Sequence, residues 1–202
     1  MTKIKICGVT LVEDALYCAQ LKADFLGFIF YPLSKRYIEV KKAEKIIDSL
    51  DNNTKTVGVF VNEKASVINK IAADLNLNYV QLHGIEPVET CNKIKVPYIK
   101  NIRSIKEVDI YKNASYYLVD AIDTTNWGGV GKLSDWSLAR KIKDKGKKLI
   151  LSGGLNKDNI NLAIEKVEPN VVDICSSLEK IPGIKNHSSI KDFFDRIKLA
   201  KE

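Results

Sequence analysis

The sequence predicts a single-domain α/β protein, a (β/α)8 TIM barrel spanning residues 1–202. Three observations carry this reading. Eight short apolar runs alternate with eight amphipathic or polar runs, so the chain repeats a strand–helix unit of about 25 residues. Most of the strand runs are continuously apolar rather than alternating, as expected for parallel strands covered on both faces. No linker, low-complexity tract or second set of units follows, and eight right-handed crossovers without a second domain favour closure over an open sheet.

The elements follow in order. The first strand run, "IKIC" (4–7), stops at a cysteine and a glycine, and "VEDALYCAQLK" (12–22) then places Ala15, Leu16, Ala19 and Leu21 on one broad apolar face. "FLGFIF" (25–30) precedes the helical pattern "KKAEKIIDSL", and "TVGVFV" (56–61) precedes "EKASVINKIAADLN". "YVQLH" (79–83) leads into "EPVETCNKIK", whose acid and proline suit a first helical turn. "PYIKNI" (97–102) is followed by the weakest helical pattern, "SIKEVDIYK". "YYLVDA" (116–121) leads to "LSDWSLARKIKDKG", with Ser134 as the expected cap and Gly146 as the expected stop. "KLILSG" (148–153) with "NKDNINLAIEKV", and "VVDICS" (171–176) with "SSIKDFFDRIKLAKE", complete the eight units.

Composition excludes several classes. The 202 residues are 45% hydrophobic and 28% charged, ordinary for a globular enzyme-sized domain. No run approaches a membrane span, and the chain enters a strand without a basic-then-apolar leader, so a cytoplasmic protein with no membrane partner is expected. The four cysteines, Cys7, Cys18, Cys91 and Cys175, form no C-x-x-C pair; no metal site is expected, and a reducing compartment would keep them as thiols. The net charge of +7 comes from lysines spread along the chain, with arginine only at positions 36, 103, 140 and 196. No nucleic-acid motif accompanies it, so the charge reads as a solvated surface with a bias towards small anionic ligands.

Barrel catalysis occurs where strands end and loops begin. Strand one ends in Cys7, strand two runs on to Lys35 and Arg36, and strand four ends in Gln81 and His83. Strand five leads to Arg103, strand six to Asp120, strand seven to Ser152, Gly153 and Gly154, and strand eight to Cys175, Ser176 and Ser177. Each has an ordinary role to hand: Cys-Gly as a strand end, Asp120 as a turn cap, Arg36 as a surface ion-pair partner, His83 and His187 as structural hydrogen-bonding residues. Their coincidence at one face favours a site. Small residues after strands seven and eight let backbone N–H groups approach a phosphate, which assigns Gly153, Gly154, Ser176 and Ser177 to phosphate binding and predicts a phosphorylated small substrate.

The stretches "KICGVT", "GFIFYPLSKRYI", "VGVFVN", "VQLHG", "LVDA", "GGVGKLSDW", "LSGGLNKDNI" and "VDICSSLEKIPGIKN" resemble, in order and over nearly the whole chain, the motifs of the phosphoribosylanthranilate isomerase family. The resemblance implies an Amadori rearrangement in tryptophan biosynthesis with no cofactor, on a monomer or homodimer. It implies Cys7 as general base, Asp120 as general acid, and Arg36, His83, Gly129 and Gly131 as substrate-binding residues. Those roles call for a lowered Cys7 pKa and a raised Asp120 pKa. The histidine-pathway isomerase barrels resemble this chain too but carry Asp where Cys7 stands. A silent phosphate-binding barrel would need neither Cys7 nor Asp120, and a Cys7–Cys175 redox protein lacks a C-x-x-C. Two departures stand out: Val130 where the family usually has a hydroxyl residue, and Ser177 where it usually has glycine. At Ser177 either backbone strain or a lengthened phosphate contact is expected.

Overall fold

The computed structural model describes residues 1–51, 53–121 and 133–199. Eight parallel strands close into a barrel in sequence order: β1 (Lys3–Cys7), β2 (Phe25–Ile29), β3 (Lys55–Phe60), β4 (Tyr79–Leu82), β5 (Tyr98–Asn101), β6 (Tyr116–Val119), β7 (Leu149–Leu151) and β8 (Val171–Ile174). β1 pairs with β8, placing Lys5 opposite Asp173 and Ile6 opposite Ile174. The helices are α1 (Val12–Gln20), α2 (Val40–Asp48), α3 (Ala65–Asp74), α4 (Val88–Cys91), α5 (Glu107–Ile110), α6 (Trp136–Asp144), α7 (Ile160–Val167) and α8 (His187–Leu199). All eight expected strands form, each within two residues of its expected ends.

Strand alternation divides the core in two. Outward residues such as Ile6, Leu26, Phe28, Leu82, Tyr117, Leu151 and Val172 pack with the helices into the larger cluster. Inward residues Phe25, Val57, Ile99, Tyr116, Leu118, Ile150 and Val171, with Tyr79 against them, fill the barrel floor. The rings of Phe25, Tyr79 and Tyr116 meet edge to face. Above this floor the same inward rows turn polar: Lys5, Gln81 and Asp173, all buried. One step higher come Cys7, His83, Asn101 and Asp120, at the mouth. Thus a single side-chain period of two carries β4, β5, β6 and β8 from apolar plug to polar mouth.

Three details differ from expectation. The cap of α6 is Asp135, whose carboxylate accepts from Leu138 N at 3.0 Å, and not Ser134, which is buried beside it. The helix expected over "EPVETCNKIK" has four residues, Val88–Cys91, capped by Pro87, and Glu86 turns inward instead of decorating its first turn. A 3₁₀ turn (Ser176–Leu178) and a small hairpin, β9 (Glu179–Ile181) with β10 (Ile184–Lys185), stand between β8 and α8, where no such element was expected. Gly146 does stop α6, at φ +69°, and α5 is indeed minimal. His187 is structural: its Nε2 lies 2.8 Å from Asp14 and its ring stacks on Tyr17 at 4.2 Å.

Glu86 organises the β3 and β4 loops. It accepts from Asn62 N and Gly84 N at 2.9 Å and from Lys100 Nζ at 2.7 Å, with both ionic side chains 1% exposed. Lys100 also donates to the Leu82 and Gly84 carbonyls. Removing one partner of a pair this deeply buried leaves an uncompensated charge, so Glu86→Ala should lower stability by about 3–5 kcal/mol. Guanidinium denaturation checks this, and a loss near that of an exposed pair, below about 1 kcal/mol, contradicts it.

Candidate active site

The residues singled out from sequence converge where the strands end. Cys7 closes β1 and is buried. Its thiol lies over Gly27, its register partner on β2: a Cβ built there would sit 2.7 Å from Cys7 Sγ and 3.2 Å from Cys7 Cα. Gly8 turns the chain at φ +72°, and a Cβ there would meet Arg36 Cδ at 2.8 Å and Cys175 Sγ at 3.1 Å. Glycine after the cysteine is therefore required twice, by the left-handed backbone and by the Arg36 stem that crosses it.

Asp120 follows β6. One carboxylate oxygen accepts from Ala121 N at 2.8 Å, and the other lies 3.4 Å from His83 Nε2. His83 is oriented in turn by Gln81, with Nε2 of the amide 2.9 Å from Nδ1 of the ring. Gly153, at φ +85°, backs onto the same carboxylate: a Cβ there would fall 2.4 Å from Ala121 N and 3.0 Å from Asp120 Oδ1. The loop after β7 is thus packed directly against Asp120. Ser177 sits in the 3₁₀ turn rather than in the left-handed region, and its hydroxyl donates to Leu155 O at 2.6 Å. The expected strain at Ser177 is absent, since its backbone has adopted a shape open to L-residues. The hydroxyl instead ties the loop after β8 to the loop after β7. Gly129, Gly131 and Val130 lie outside the described residues.

Several charged groups of the site were missed from sequence. Lys5 Nζ lies 2.6 Å from Asp173 Oδ2, one inward step below Cys7. Both break otherwise apolar strands, "IKIC" and "VVDIC", and that interruption was the available signal. Glu179 takes the Arg36 guanidinium, accepting from Nε at 2.9 and 3.0 Å and from Nη2 at 2.7 Å. Lys185, also buried, donates to the Cys7 carbonyl at 2.5 Å and to Glu179 at 3.1 Å, with its Nζ 3.9 Å from Cys175 Sγ. The short hairpin gave no signal for either. Among the described residues no His, Cys, Asp or Glu cluster could hold a metal ion, and no helix is long and apolar enough to cross a membrane.

The electrostatics correct both expected pKa directions. Burial raises the Cys7 thiol, and the opposing pull of Lys5 and Lys185 does not overcome it, with Asp173 adding to the rise. Burial also acts to raise Asp120, but the His83 hydrogen bond and charge, the Ala121 N–H and the Ser152 hydroxyl outweigh it and hold the carboxyl below its usual value. The resting site therefore carries a neutral thiol and a carboxylate.

A (β/α)8-barrel enzyme with a cysteine and a carboxylate at its mouth is the class that fold and site define. The family model described as N-(5'phosphoribosyl)anthranilate (PRA) isomerase matches residues 4–196. The chain is 45% identical to the N-(5'-phosphoribosyl)anthranilate isomerase of Thermotoga petrophila, covering 100% of this chain and 99% of that one. It is similar to the crystal structure of the Thermotoga maritima phosphoribosyl anthranilate isomerase, with TM-score 0.88 and 40% identity over 98% of this chain and all of that one. A second structure, at TM-score 0.84 and 40% identity over the same shares, is a phosphoribosyl anthranilate isomerase in complex with reduced 1-(o-carboxyphenylamino)-1-deoxyribulose 5-phosphate. The chain belongs to the N-(5'-phosphoribosyl)anthranilate isomerase family, isomerases of tryptophan biosynthesis.

Burial pushes Cys175 up to about 12, whereas an unfolded thiol ionises near ~8.5. Between those values the folded chain binds more protons than the unfolded one, so stability falls as pH rises. For Cys7 the same burial predicts that alkylation by iodoacetamide, followed by mass spectrometry of the Cys7 peptide, has its pH midpoint above the ordinary thiol value. A midpoint at or below ~8.5 would show that the two lysines outweigh burial.

Proposed function

We propose that the protein converts N-(5'-phosphoribosyl)anthranilate into 1-(2-carboxyphenylamino)-1-deoxyribulose 5-phosphate, with Cys7 as general base and Asp120 as general acid. The observation that carries this reading is the placement of Cys7 and Asp120 on the inward rows of β1 and β6, on one mouth beside the loops after β7 and β8.

Each step has a group to perform it. Asp120, protonated, delivers its proton to the ribose ring oxygen; the C1–O bond breaks and a Schiff base forms between C1 and the anthranilate nitrogen. Cys7, as thiolate, removes the proton from C2, and the electron pair moves to give the enolamine. The enolamine tautomerises to the ketone. The family's isomerisation is redox-neutral within one molecule, and no cofactor enters these steps. Each proton-transfer group contributes on the order of 10²–10⁴-fold.

The reactive state differs from the resting one by a single proton moved from Cys7 to Asp120. Net charge is unchanged, so the ratio of the two forms is independent of pH between the apparent pKa values of the pair. Lys5 and Lys185 are the cations that offset the thiolate once it forms. Arg36 grips the anthranilate carboxylate, for which a guanidinium fork is matched in shape, and His83 lies within reach of the same substrate. The loop at Gly153 and Gly154 and the turn at Ser176 and Ser177 receive the phosphate, their mutual position held by the Ser177–Leu155 bond. Gly129 and Gly131 complete the substrate-binding set.

A fluorescence assay tests the activity: the anthranilate adduct, generated in situ from anthranilate and phosphoribosyl pyrophosphate by the preceding transferase, should lose its fluorescence on addition of the protein. Cys7→Ala and Asp120→Asn should each lower kcat at least ~10²-fold with the fold intact. Near-normal turnover in either variant removes that residue from the mechanism. Ser177→Ala should weaken inorganic phosphate binding several-fold by untying the two loops, measured by calorimetry; unchanged binding would make the tether irrelevant to the phosphate.

A further inference from the structure

We propose that Glu179 is a positioning residue that sets the carboxylate specificity of the site by holding Arg36 from one side. The inference rests on the assignment of Arg36 to the substrate's aryl carboxylate.

A guanidinium has two bidentate edges, a lateral one through Nε and one Nη, and a terminal one through both Nη groups. Glu179 occupies the lateral edge completely, with contacts of 2.9, 3.0 and 2.7 Å to Nε and Nη2. The terminal edge, Nη1 with the second proton of Nη2, receives no partner among the described residues. It is the edge suited to a second carboxylate. The Arg36 stem crosses Gly8 beside Cys7, which places the residue at the mouth.

Glu179 is itself fixed. Its Oε1 accepts from Lys185 Nζ at 3.1 Å and from Gly183 N at 3.1 Å, and its side chain is 4% exposed. Lys185 is anchored to the Cys7 carbonyl and, through its own N–H, to Asp14 at 2.9 Å. Thr10 ties the hairpin turn through the Gly183 carbonyl. The hairpin of β9 and β10 thus carries a buried anion, Glu179, and a buried cation, Lys185, whose joint effect is to fasten Arg36 relative to the end of β1. A long, rotamer-rich side chain held in place loses less entropy when its ligand arrives. A substrate with an aryl carboxylate gains from that order, and one without it does not.

The test compares two ligands, a reduced product analogue bearing the aryl carboxylate and its phenyl counterpart, by calorimetry. Wild type should prefer the carboxylate analogue, and Glu179→Gln should lose about tenfold or more in affinity for it while holding the phenyl analogue within twofold. In turnover the same variant should raise KM far more than it lowers kcat. Glu179→Gln leaves Lys185 partly uncompensated, so a double variant, Glu179→Gln with Lys185→Met, removes the buried charge as well; it should regain thermal stability yet stay deficient in carboxylate discrimination. Equal losses for both analogues, in the single and the double variant, would reduce Glu179 to a structural role and overturn the proposal. Tighter binding of the carboxylate analogue by Glu179→Gln would overturn it too, since Glu179 would then be a competitor for Arg36. Arg36→Met separates the two readings. If Arg36→Met keeps the carboxylate preference, the assignment of Arg36 falls. If Arg36→Met abolishes it and Glu179→Gln retains it, only the positioning role falls.

Discussion

Everything at the mouth depends on the seam where β1 meets β8, and an ion pair lies across that seam inside the barrel. Lys5 and Asp173 are register partners at 2.6 Å, with side chains 0% and 5% exposed. A pair so buried is poor evidence for stability, because desolvating two ions opposes the attraction between them. Its cost is visible: Asp173 Oδ1 is buried without a hydrogen-bond partner among the described residues. What the pair does supply is register. A one-residue slip of β1 along β8 would send Lys5 outward into the apolar helix layer and Cys7 away from the mouth. An ammonium stranded among Ile6, Leu26 and their neighbours is far worse than the pair as it stands.

The same lysine sets the electrical character of the thiol above it. Cys7 lies among Lys5, Lys185 and Asp173, two cations and one anion, but burial outweighs the pull of the lysines, so the proton stays on sulfur. At Asp120 the balance goes the other way, because hydrogen bonds aimed at the carboxylate are more numerous than those at the thiol. In the proposed mechanism each group therefore rests in the protonation state opposite to the one it would use. A neutral buried thiol is also a weak nucleophile and a poor target for oxidants.

The barrel was legible in the sequence because parallel strands covered on both faces are written as short apolar runs, and eight of them repeat. The strand-end residues were legible for the same reason: once the runs are placed, Cys7, His83 and Asp120 fall at corresponding positions. Sequence could not show the pKa directions, since these depend on how deeply Cys7 is buried and on which loop groups, His83 and Ser152 among them, reach Asp120. Nor could it show Glu179 and Lys185, which lie in a hairpin of three and two residues, too short for any periodicity. Ser134 was read as a cap where Asp135 serves, because both residue types cap helices and only geometry separates neighbours. Sequence left two courses open at Ser177, strain in the family's glycine conformation or a relaxed backbone with a lengthened phosphate contact, and the 3₁₀ turn takes the relaxed one.

The absent side chain at Gly27 has a consequence for what sequences this site can explore. The space a methyl group would fill there is already taken by the sulfur of Cys7, so positions 7 and 27 share one volume. No change at Gly27 is neutral while residue 7 keeps its bulk, and a larger group at residue 7 cannot expand towards β2. Drift at these two positions is confined to steps that conserve their combined size. The first strand can change its chemistry only by exchanging one small group for another of similar volume, and the second strand must remain bare opposite it for any of those exchanges to survive.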